Sequence, residues 1–412
     1  MALARIEELE KQREPPACVK ENVKKRPAAE KKPRKKREAK HNRGRMRAVP
    51  TQMVEHCIVT CPQCHLRLGG ISLARVREVI ELPKPQPVEV IHHRMFKGWC
   101  SQSQRWHEAP VDLHEQALGQ GRVGVRLSSV IALLRTVMRL PVRHIRTLLL
   151  ILSGCEISTG EIVELLHRVV NHAKSVLEAT KGQIRASRAV QADETGWRED
   201  GSLWSACTPT LRSYEYHHSR EGAIVKELIG PDFADVFGSD FSAGYNSHQG
   251  LHQRCWVYYL RDIHNLKKQY PEDEGLLTWA EQVKAVSDDA VAWVEQDPDP
   301  RLSARKPQQA RVAHQQTFEQ RLWALCQPFA HTLAFQHTLC ERMERFFPEM
   351  FPFVAFPGVS AHHNLAERSV RPLVIARTIS RGSRSPNGSI SRMGLASLFG
   401  TWMAQGLNPF SQ

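Results

Sequence analysis

The chain has 412 residues, and its 57 Lys and Arg against 43 Asp and Glu give a formal net charge of +14 at pH 7. Hydrophobic residues make up 41% of the sequence, which is enough for folded cores and excludes a wholly disordered chain. No apolar run approaches the roughly 20 residues of a membrane-spanning helix, so we expect a soluble, cytoplasmic protein. Ten irregularly spaced cysteines do not fit a disulfide framework and leave metal binding to be tested.

The positive charge is concentrated at the start of the chain. Residues 1–48 hold 17 Lys and Arg and seven Glu, and they include the run Lys35-Lys36-Arg37. Residues 1–50 contain several prolines and lack the period of a long helix or strand. A solvated tail is the simplest interpretation, but the specific use of such a segment is to neutralise nucleic-acid phosphates without reading sequence. We therefore predict a largely disordered basic arm over residues 1–50 and nucleic acid as the leading partner.

A small cysteine-containing module is predicted over residues 51–112. Cys61 and Cys64 form a CxxC turn that presents two sulfurs to one point, as a zinc knuckle does. Cys100 follows, but Ser103 stands where the last cysteine of a second CxxC would lie, and a hydroxyl is a poor zinc ligand. The candidates for a fourth ligand are His107, His65 and Cys57. Two interpretations stay open, a zinc site and a metal-free remnant.

Residues 113–184 have helical periodicity. An apolar run from Val142 ends at Ser153-Gly154, and Ser158 and Glu161 then have the spacing of a capping box at the start of a second helix. This pattern suits a DNA-binding helix-turn-helix, although two packed helices are as often plain core.

Strand signals begin near residue 188. Apolar runs at residues 189–193, 203–208 and 213–218 predict three antiparallel strands, followed by a helix at residues 221–229 and a strand at residues 234–240. This order predicts an α/β domain with a mixed sheet. Asp193 and Asp240 are each the last residue of one of these strands, so two carboxylates are expected to meet at one edge of the sheet. Each alone is most simply a turn residue, but together they demand a cation such as Mg²⁺ or Mn²⁺.

A third acid lies on a later helix. Glu367 and Arg371 share a helix face at spacing i, i+4, for which a surface salt bridge is the simplest explanation. The segment is helix-like up to Pro372. Beyond the proline, three arginines alternate with glycine and serine in the manner of a phosphate-binding loop: Arg377, Arg381 and Arg384. An acid triad beside a basic loop indicates metal-assisted phosphodiester chemistry.

Several motifs in one order make the chain recognisable. They are the CxxC module, Gly119-Gln120-Gly121-Arg122, Asp193-Glu194-Thr195-Gly196-Trp197, Ser239-Asp240-Phe241, His252-Gln253-Arg254-Cys255-Trp256, Leu260-Arg261-Asp262-Ile263-His264, Ala366-Glu367-Arg368-Ser369 and Leu395-Ala396-Ser397-Leu398-Phe399-Gly400-Thr401-Trp402. With these motifs the chain resembles the transposases of the insertion sequence 66 family, which belong to the DDE group. The resemblance implies a ribonuclease-H-like catalytic domain over residues 185–412 with an all-helical insertion at about residues 270–350. It also implies that Asp193, Asp240 and Glu367 are the catalytic, magnesium-binding acids.

The implied function is metal-dependent cleavage and transfer of DNA strands. The implied partners are double-stranded DNA at the element ends and the target, further copies of the chain on those ends, and accessory proteins of the element, which would make the protein nucleoid-associated. Four residues depart from the family pattern: Ser103 replaces a cysteine, Tyr258 a histidine, His363 an asparagine and Thr378 a lysine. A catalytically decayed copy that only binds DNA is therefore the alternative. A histidine metallohydrolase is disfavoured, because the adjacent histidines at 217–218 and 362–363 diverge on a strand or helix.

Overall fold

The computed structural model describes residues 49–70, 72–82, 84–119, 121–198, 201–296 and 308–410. The predicted basic arm, including Lys35, Lys36 and Arg37, lies outside these ranges. By its internal contacts the chain divides into two compact units, Met1–Lys84 and Pro85–Gln412. Across the described ranges, no helix is both long enough and apolar enough to cross a membrane.

The second unit begins with a small hairpin. Strands β1 (Lys97–Cys100) and β2 (Arg105–Glu108) pair antiparallel, with Trp99 opposite Trp106. The two indole rings meet edge to face at 5.7 Å between centroids, a geometry that stabilises aromatic pairs. This hairpin presents the turn that contains Cys100 and Ser103.

Four helices follow: α1 (Val125–Thr136), α2 (Val142–Ser153), α3 (Thr159–His172) and α4 (Lys174–Arg185). The predicted pair of helices with a short turn is confirmed. Gly154 ends α2 at a φ of 62°, where an L side chain would be strained. The Ser158 hydroxyl accepts the Glu161 backbone N–H at 3.0 Å and caps α3. The Glu161 carboxylate pairs with Arg122 at 2.7 Å, so only half of the predicted capping box forms.

A five-stranded mixed sheet forms the centre of the second unit. Its strands are β3 (Ala189–Arg198), β4 (Gly201–Cys207), β5 (Arg212–His217), β6 (Val236–Ser239) and β7 (His252–Arg254), in the spatial order β5-β4-β3-β6-β7. The first three strands are antiparallel, whereas β6 and β7 run parallel to β3. The α/β prediction is confirmed. The prediction that Asp193 closes its strand is wrong, because β3 stays paired with β4 as far as Arg198.

Helices cover the sheet and form a separate core beyond it. Helix α5 (Ala223–Ile229) connects β5 to β6. After β7, α6 (Trp256–Gln269), α7 (Glu274–Glu295), α8 (Gln308–Cys326), α9 (His337–Phe346) and α10 (Pro352–Ala355) share one apolar core. Helices α11 (Asn364–Ser380) and α12 (Pro386–Ala404) then pack on β3, β4 and β5 through Val370, Leu373 and Met393.

Helix α11 does not end at Pro372, contrary to the sequence prediction. It continues to Ser380 with the proline in its interior and exposed. An interior proline costs roughly 3 kcal/mol, because it removes a backbone donor and crowds the preceding turn. Burial of Val370, Leu373 and Ala376 on both sides of the proline offsets that cost. Arg377 therefore lies on a helix and not in a loop.

Candidate active site

Asp193 and Asp240 are placed side by side by the register of two parallel strands. Gln191 of β3 is paired with Gly238 of β6, and each aspartate lies two residues beyond its member of that pair. Because side chains alternate along a strand, residues two apart share a face. The two carboxylates therefore project to the same side of the sheet, at the end of β6 and the middle of β3.

The start of α11 is fixed to β3 and brings Glu367 to the aspartates. The Gln191 side-chain amide donates to the His362 carbonyl at 2.8 Å, and its oxygen accepts the Ala366 N–H at 3.3 Å. The ring of His363 bonds to the carbonyl of Ala192, the neighbour of Asp193. Glu367 lies in the first turn of α11, where the helix dipole favours a carboxylate.

The three carboxylates, called the acid triad below, share one electrostatic environment. The pKa of Asp193 is raised to about 6, chiefly by burial and to a smaller degree by the charges of Asp240 and Glu367, against the lowering effects of His363 and the Glu194 N–H. Burial beside two further acids therefore makes the negative charge of Asp193 costly. A bound cation would offset that charge.

Tyr258 and His363, which depart from the family pattern, both contact this site. Burial of the Tyr258 phenol and its hydrogen bond with the Glu367 carboxylate raise the pKa of Tyr258. A protonated phenol donates, so Glu367 is the acceptor. His363 is 2% exposed. Both replacement residues are thus tied directly to the acid triad or its strand.

Arg254 holds the backbone of Asp240, a role that no sequence motif indicated. Its guanidinium donates to the Asp240 carbonyl at 2.7 Å, to Asn246 Oδ1 at 2.7 Å and to Glu349 Oε2 at 2.7 Å. The Asp240 carboxylate in turn accepts the Ser242 N–H at 2.8 Å. These bonds fix both the main chain and the side chain of Asp240.

The predicted phosphate-binding arginines occupy different settings. Arg371 and Arg384 are exposed, and Arg381 ends α11 at a φ of 55°. Arg377 Nη1 donates to Thr195 Oγ1 of β3 at 3.4 Å. No ion pair joins Glu367 to Arg371 in the described part of α11, so the surface salt bridge suggested by their spacing is absent.

Within the described residues, one group of three potential metal ligands lies close together, and it includes no member of the acid triad. The ligand atoms of Glu215, His217 and Glu227 all lie within 4.8 Å of one another, whereas the triad is not such a set. Lys181 already pairs with Glu215 at 3.1 Å and supplies the charge a cation would bring.

In each of the two cysteine turns, the first sulfur accepts backbone N–H groups and the residue directly after the turn has a positive φ. Cys61 accepts the His65 N–H through its carbonyl at 2.9 Å, and backbone N–H groups led by that of Cys64 lower the pKa of the Cys61 thiol. Cys100 accepts the Ser103 N–H at 3.4 Å. His65 and Gln104, each the residue after its four-residue turn, have φ values of 59° and 46°.

In the hairpin turn, Ser103 and His107 are also in contact. The Ser103 hydroxyl and His107 Nε2 lie 2.8 Å apart, and the hydroxyl lowers the pKa of the Cys100 thiol. Cys100, Ser103 and His107 therefore belong to one hairpin. Zinc binding by Cys61, Cys64 and Cys100 with His107 stays a prediction.

Comparison with known sequences identifies the family. No curated protein matches the chain. The family model described as "Transposase IS66 family" matches residues 120–390, a range that contains the sheet, the helical segment after it and all three members of the acid triad. The chain therefore belongs to the IS66 family of transposases.

Proposed function

We propose that this chain is a DNA transposase that cleaves and transfers strands at the acid triad of Asp193, Asp240 and Glu367. The observation that carries the proposal is their placement: β3, the end of β6 and the first turn of α11 supply one acid each, and the pKa of Asp193 responds to the other two. The strand order β5-β4-β3-β6-β7, with three antiparallel strands followed by two parallel ones, supports a ribonuclease-H-like core.

The donor set of the triad fits magnesium or manganese. All three side chains offer carboxylate oxygens, which hard divalent cations prefer, and burial makes the negative charge of Asp193 costly unless a cation is bound. Asp193, Asp240 and Glu367 would hold the metal. When bound, such ions would make water or a 3′ hydroxyl a stronger nucleophile and neutralise the leaving oxygen.

The chain's own residues orient these acids. Glu367 accepts a hydrogen bond from Tyr258, Asp240 accepts the N–H of Ser242, and Asp193 accepts the N–H of Glu194 at 2.9 Å. Each carboxylate thus keeps one oxygen engaged by the protein, which fixes the direction of the other. No covalent protein nucleophile is needed in this scheme, because bound cations and fixed charges would supply the electrostatic stabilisation.

The proposed substrate is double-stranded DNA at the element ends and the target, bound by a homo-oligomer of the chain. The arginines at 371, 377, 381 and 384 lie on α11 or directly after it, on the helix that also carries Glu367. Charged groups so close to the acid triad suit a polyanionic substrate, since guanidinium groups pair well with phosphates.

Replacement of single acids tests the proposal. Asp193→Asn, Asp240→Asn and Glu367→Gln keep the shape of each side chain and remove its charge. We expect each to abolish Mg²⁺-dependent nicking of DNA that carries the ends of the chain's own element, while binding of that DNA in EDTA is retained. Nicking is measured on labelled strands and binding by mobility shift.

Asp235→Asn is the matched control, because Asp235 is exposed and lies five residues before Asp240. This variant should nick normally. Normal nicking by Glu367→Gln would show that the catalytic assignment is wrong. If the unmodified protein binds the ends but never nicks them with Mg²⁺ or Mn²⁺, the chain is a decayed copy that acts as a DNA-binding protein.

A further inference from the structure

Two arginines converge on a glycine of the strand that carries Asp193. Arg220 lies between β5 and α5, and Arg377 lies on α11. A Cβ atom placed on Gly196 would lie 3.3 Å from Arg220 Nη2 and 3.9 Å from Arg377 Nη1. Both guanidinium groups therefore border the space that the missing side chain leaves open, three residues beyond Asp193 on β3.

Each arginine is held in place by a neighbouring strand residue. Arg220 Nε donates to Ser202 Oγ at 2.9 Å and lies 3.3 Å from Glu194 Oε2. Arg377 Nη1 donates to Thr195 Oγ1 at 3.4 Å. The side chain of Arg220 is still 57% exposed. The two groups are therefore positioned by the protein, and Arg220 is open to a ligand.

The charges at this point favour an anion. Two guanidinium groups that both border one Cβ position repel each other, and Glu194 is the carboxylate paired with Arg220 there. A third charge that bridges the two arginines would relieve the repulsion. A phosphate does so well, because guanidinium forks match its oxygens.

The position of Gly196 on β3 indicates where that phosphate would come from. Gly196 lies three residues from Asp193, so its side-chain position faces the opposite side of the sheet, but Arg377 reaches it from α11, the helix that carries Glu367. Three residues of extended strand span about 10 Å, which is a few nucleotides along one DNA strand. We propose that Arg220 and Arg377, on either side of Gly196, form a phosphate subsite for the DNA backbone a few nucleotides from the bond that is cut. This inference rests on the proposed function, since it takes DNA as the ligand.

The test determines whether one arginine side chain of the protein contacts one phosphate of the DNA. The full-length chain is titrated in EDTA with duplexes that carry the end of its own element, each with a single uncharged methylphosphonate at a successive position near the cleavage site. For the unmodified protein we expect a roughly tenfold loss of affinity at one or two adjacent positions. Arg220→Ala should bind the unmodified duplex about tenfold more weakly and lose its sensitivity at those same positions.

Two further variants keep the test decisive. Gly196→Val retains both arginines and fills the space between them, and valine is well suited to a strand. If the phosphate binds in that space, this variant should lose its sensitivity to methylphosphonates at the same positions. Arg321→Ala is the charge-matched control, because Arg321 pairs with Asp289 on α7 at 2.6 Å, and it should keep the wild-type pattern.

Equal sensitivity of the unmodified protein, Arg220→Ala and Gly196→Val at every position would overturn the subsite. Failure of the proposed catalytic function would appear separately, as normal nicking by Asp193→Asn, because binding in EDTA does not depend on catalysis.

Discussion

At the residue scale, the most informative property is the raised pKa of Asp193. An unfolded aspartate titrates near 3.9, whereas burial raises the pKa of the folded Asp193 to about 6. Below about pH 4 both states are protonated. Between pH 4 and 6 the folded state holds the extra proton, so stability falls as the pH rises. Above pH 6 the full cost of the buried charge, about 1 to 3 kcal/mol, remains.

Asp193→Asn should therefore stabilise the metal-free protein at neutral pH. In EDTA at pH 7.5 we expect its thermal unfolding midpoint to rise by a few degrees over that of the unmodified protein, because asparagine carries no charge to bury. At pH 4 the two midpoints should agree. Asp235→Asn, an exposed control, should change neither. A gain of equal size at both pH values would show that Asp193 is not the titrating group.

The sequence indicated Asp193, Asp240 and Glu367 as candidate acids, but it did not indicate the residues that contact them. Asp193, Asp240 and Glu367 each follow a local pattern of strand or helix that can be read within about ten residues. Tyr258 reaches Glu367 across more than one hundred positions, and Arg254 reaches Glu349 across 95. Such contacts depend on how separate elements pack, and no periodicity encodes them.

At the scale of elements, Arg254 joins the sheet to the helical segment that follows it. The guanidinium is 1% exposed, pairs with Glu349 at the end of the 3-10 helix Phe347–Glu349, and stacks on Phe346 at 4.7 Å. His252 also reaches the same carboxylate at 3.3 Å. Loss of one partner from a buried pair leaves an uncompensated charge.

We therefore expect Arg254→Met to lower the free energy of unfolding by about 3 to 5 kcal/mol. Lys284→Met is the control, because the pair of Lys284 with Asp288 is 60% exposed on both sides and should contribute less than about 1 kcal/mol. Urea denaturation of both variants measures the difference. Equal small losses would mean that Arg254 does not connect the two elements energetically.

The β1–β2 hairpin carries a testable metal prediction. Its turn, like the Cys61 turn, is followed by a residue of positive φ, and Ser103 stands where Cys64 stands in the Cys61 turn. Because a thiolate binds zinc far better than a hydroxyl, Ser103→Cys should raise the zinc retained by the purified protein toward one equivalent. Elemental analysis of both proteins, with Ser101→Cys as the control, measures the gain. Equal stoichiometric zinc in both would show that Ser103 is irrelevant.

The sequence predicted the helices and strands that have a strong local pattern. It missed the features that depend on packing between elements. Helices α2 and α3 follow from their apolar period and cap residues. Strand β7, only three residues long, carries too little pattern to be found. The passage of α11 through Pro372 depends on the apolar face that it buries against the sheet. The length of β3 beyond Asp193 depends on its pairing with β4.

At the scale of the whole molecule, the charge is divided unequally along the chain. Residues 1–48 contribute a net formal charge of +10 of the total of +14, so the remaining 364 residues carry only +4. The acids of the triad lie within that weakly basic part. Attraction to the DNA polyanion over the whole molecule should therefore come mainly from the first 48 residues, whereas contacts specific to a sequence should come from the rest of the chain.

Deletion of residues 1–48 should separate these two contributions. Each phosphate neutralised by Lys or Arg releases counterions and adds about −0.9 to the slope of log K against log salt. The truncated protein should therefore show a flatter salt dependence and weaker binding at low salt. Its preference for element ends over unrelated duplex should stay nearly unchanged, because point charges on phosphates do not read bases. The measurement is a titration of both duplexes at several salt concentrations with full-length and truncated protein. An unchanged slope would show that the segment does not contact DNA, and a lost preference would show that it reads sequence.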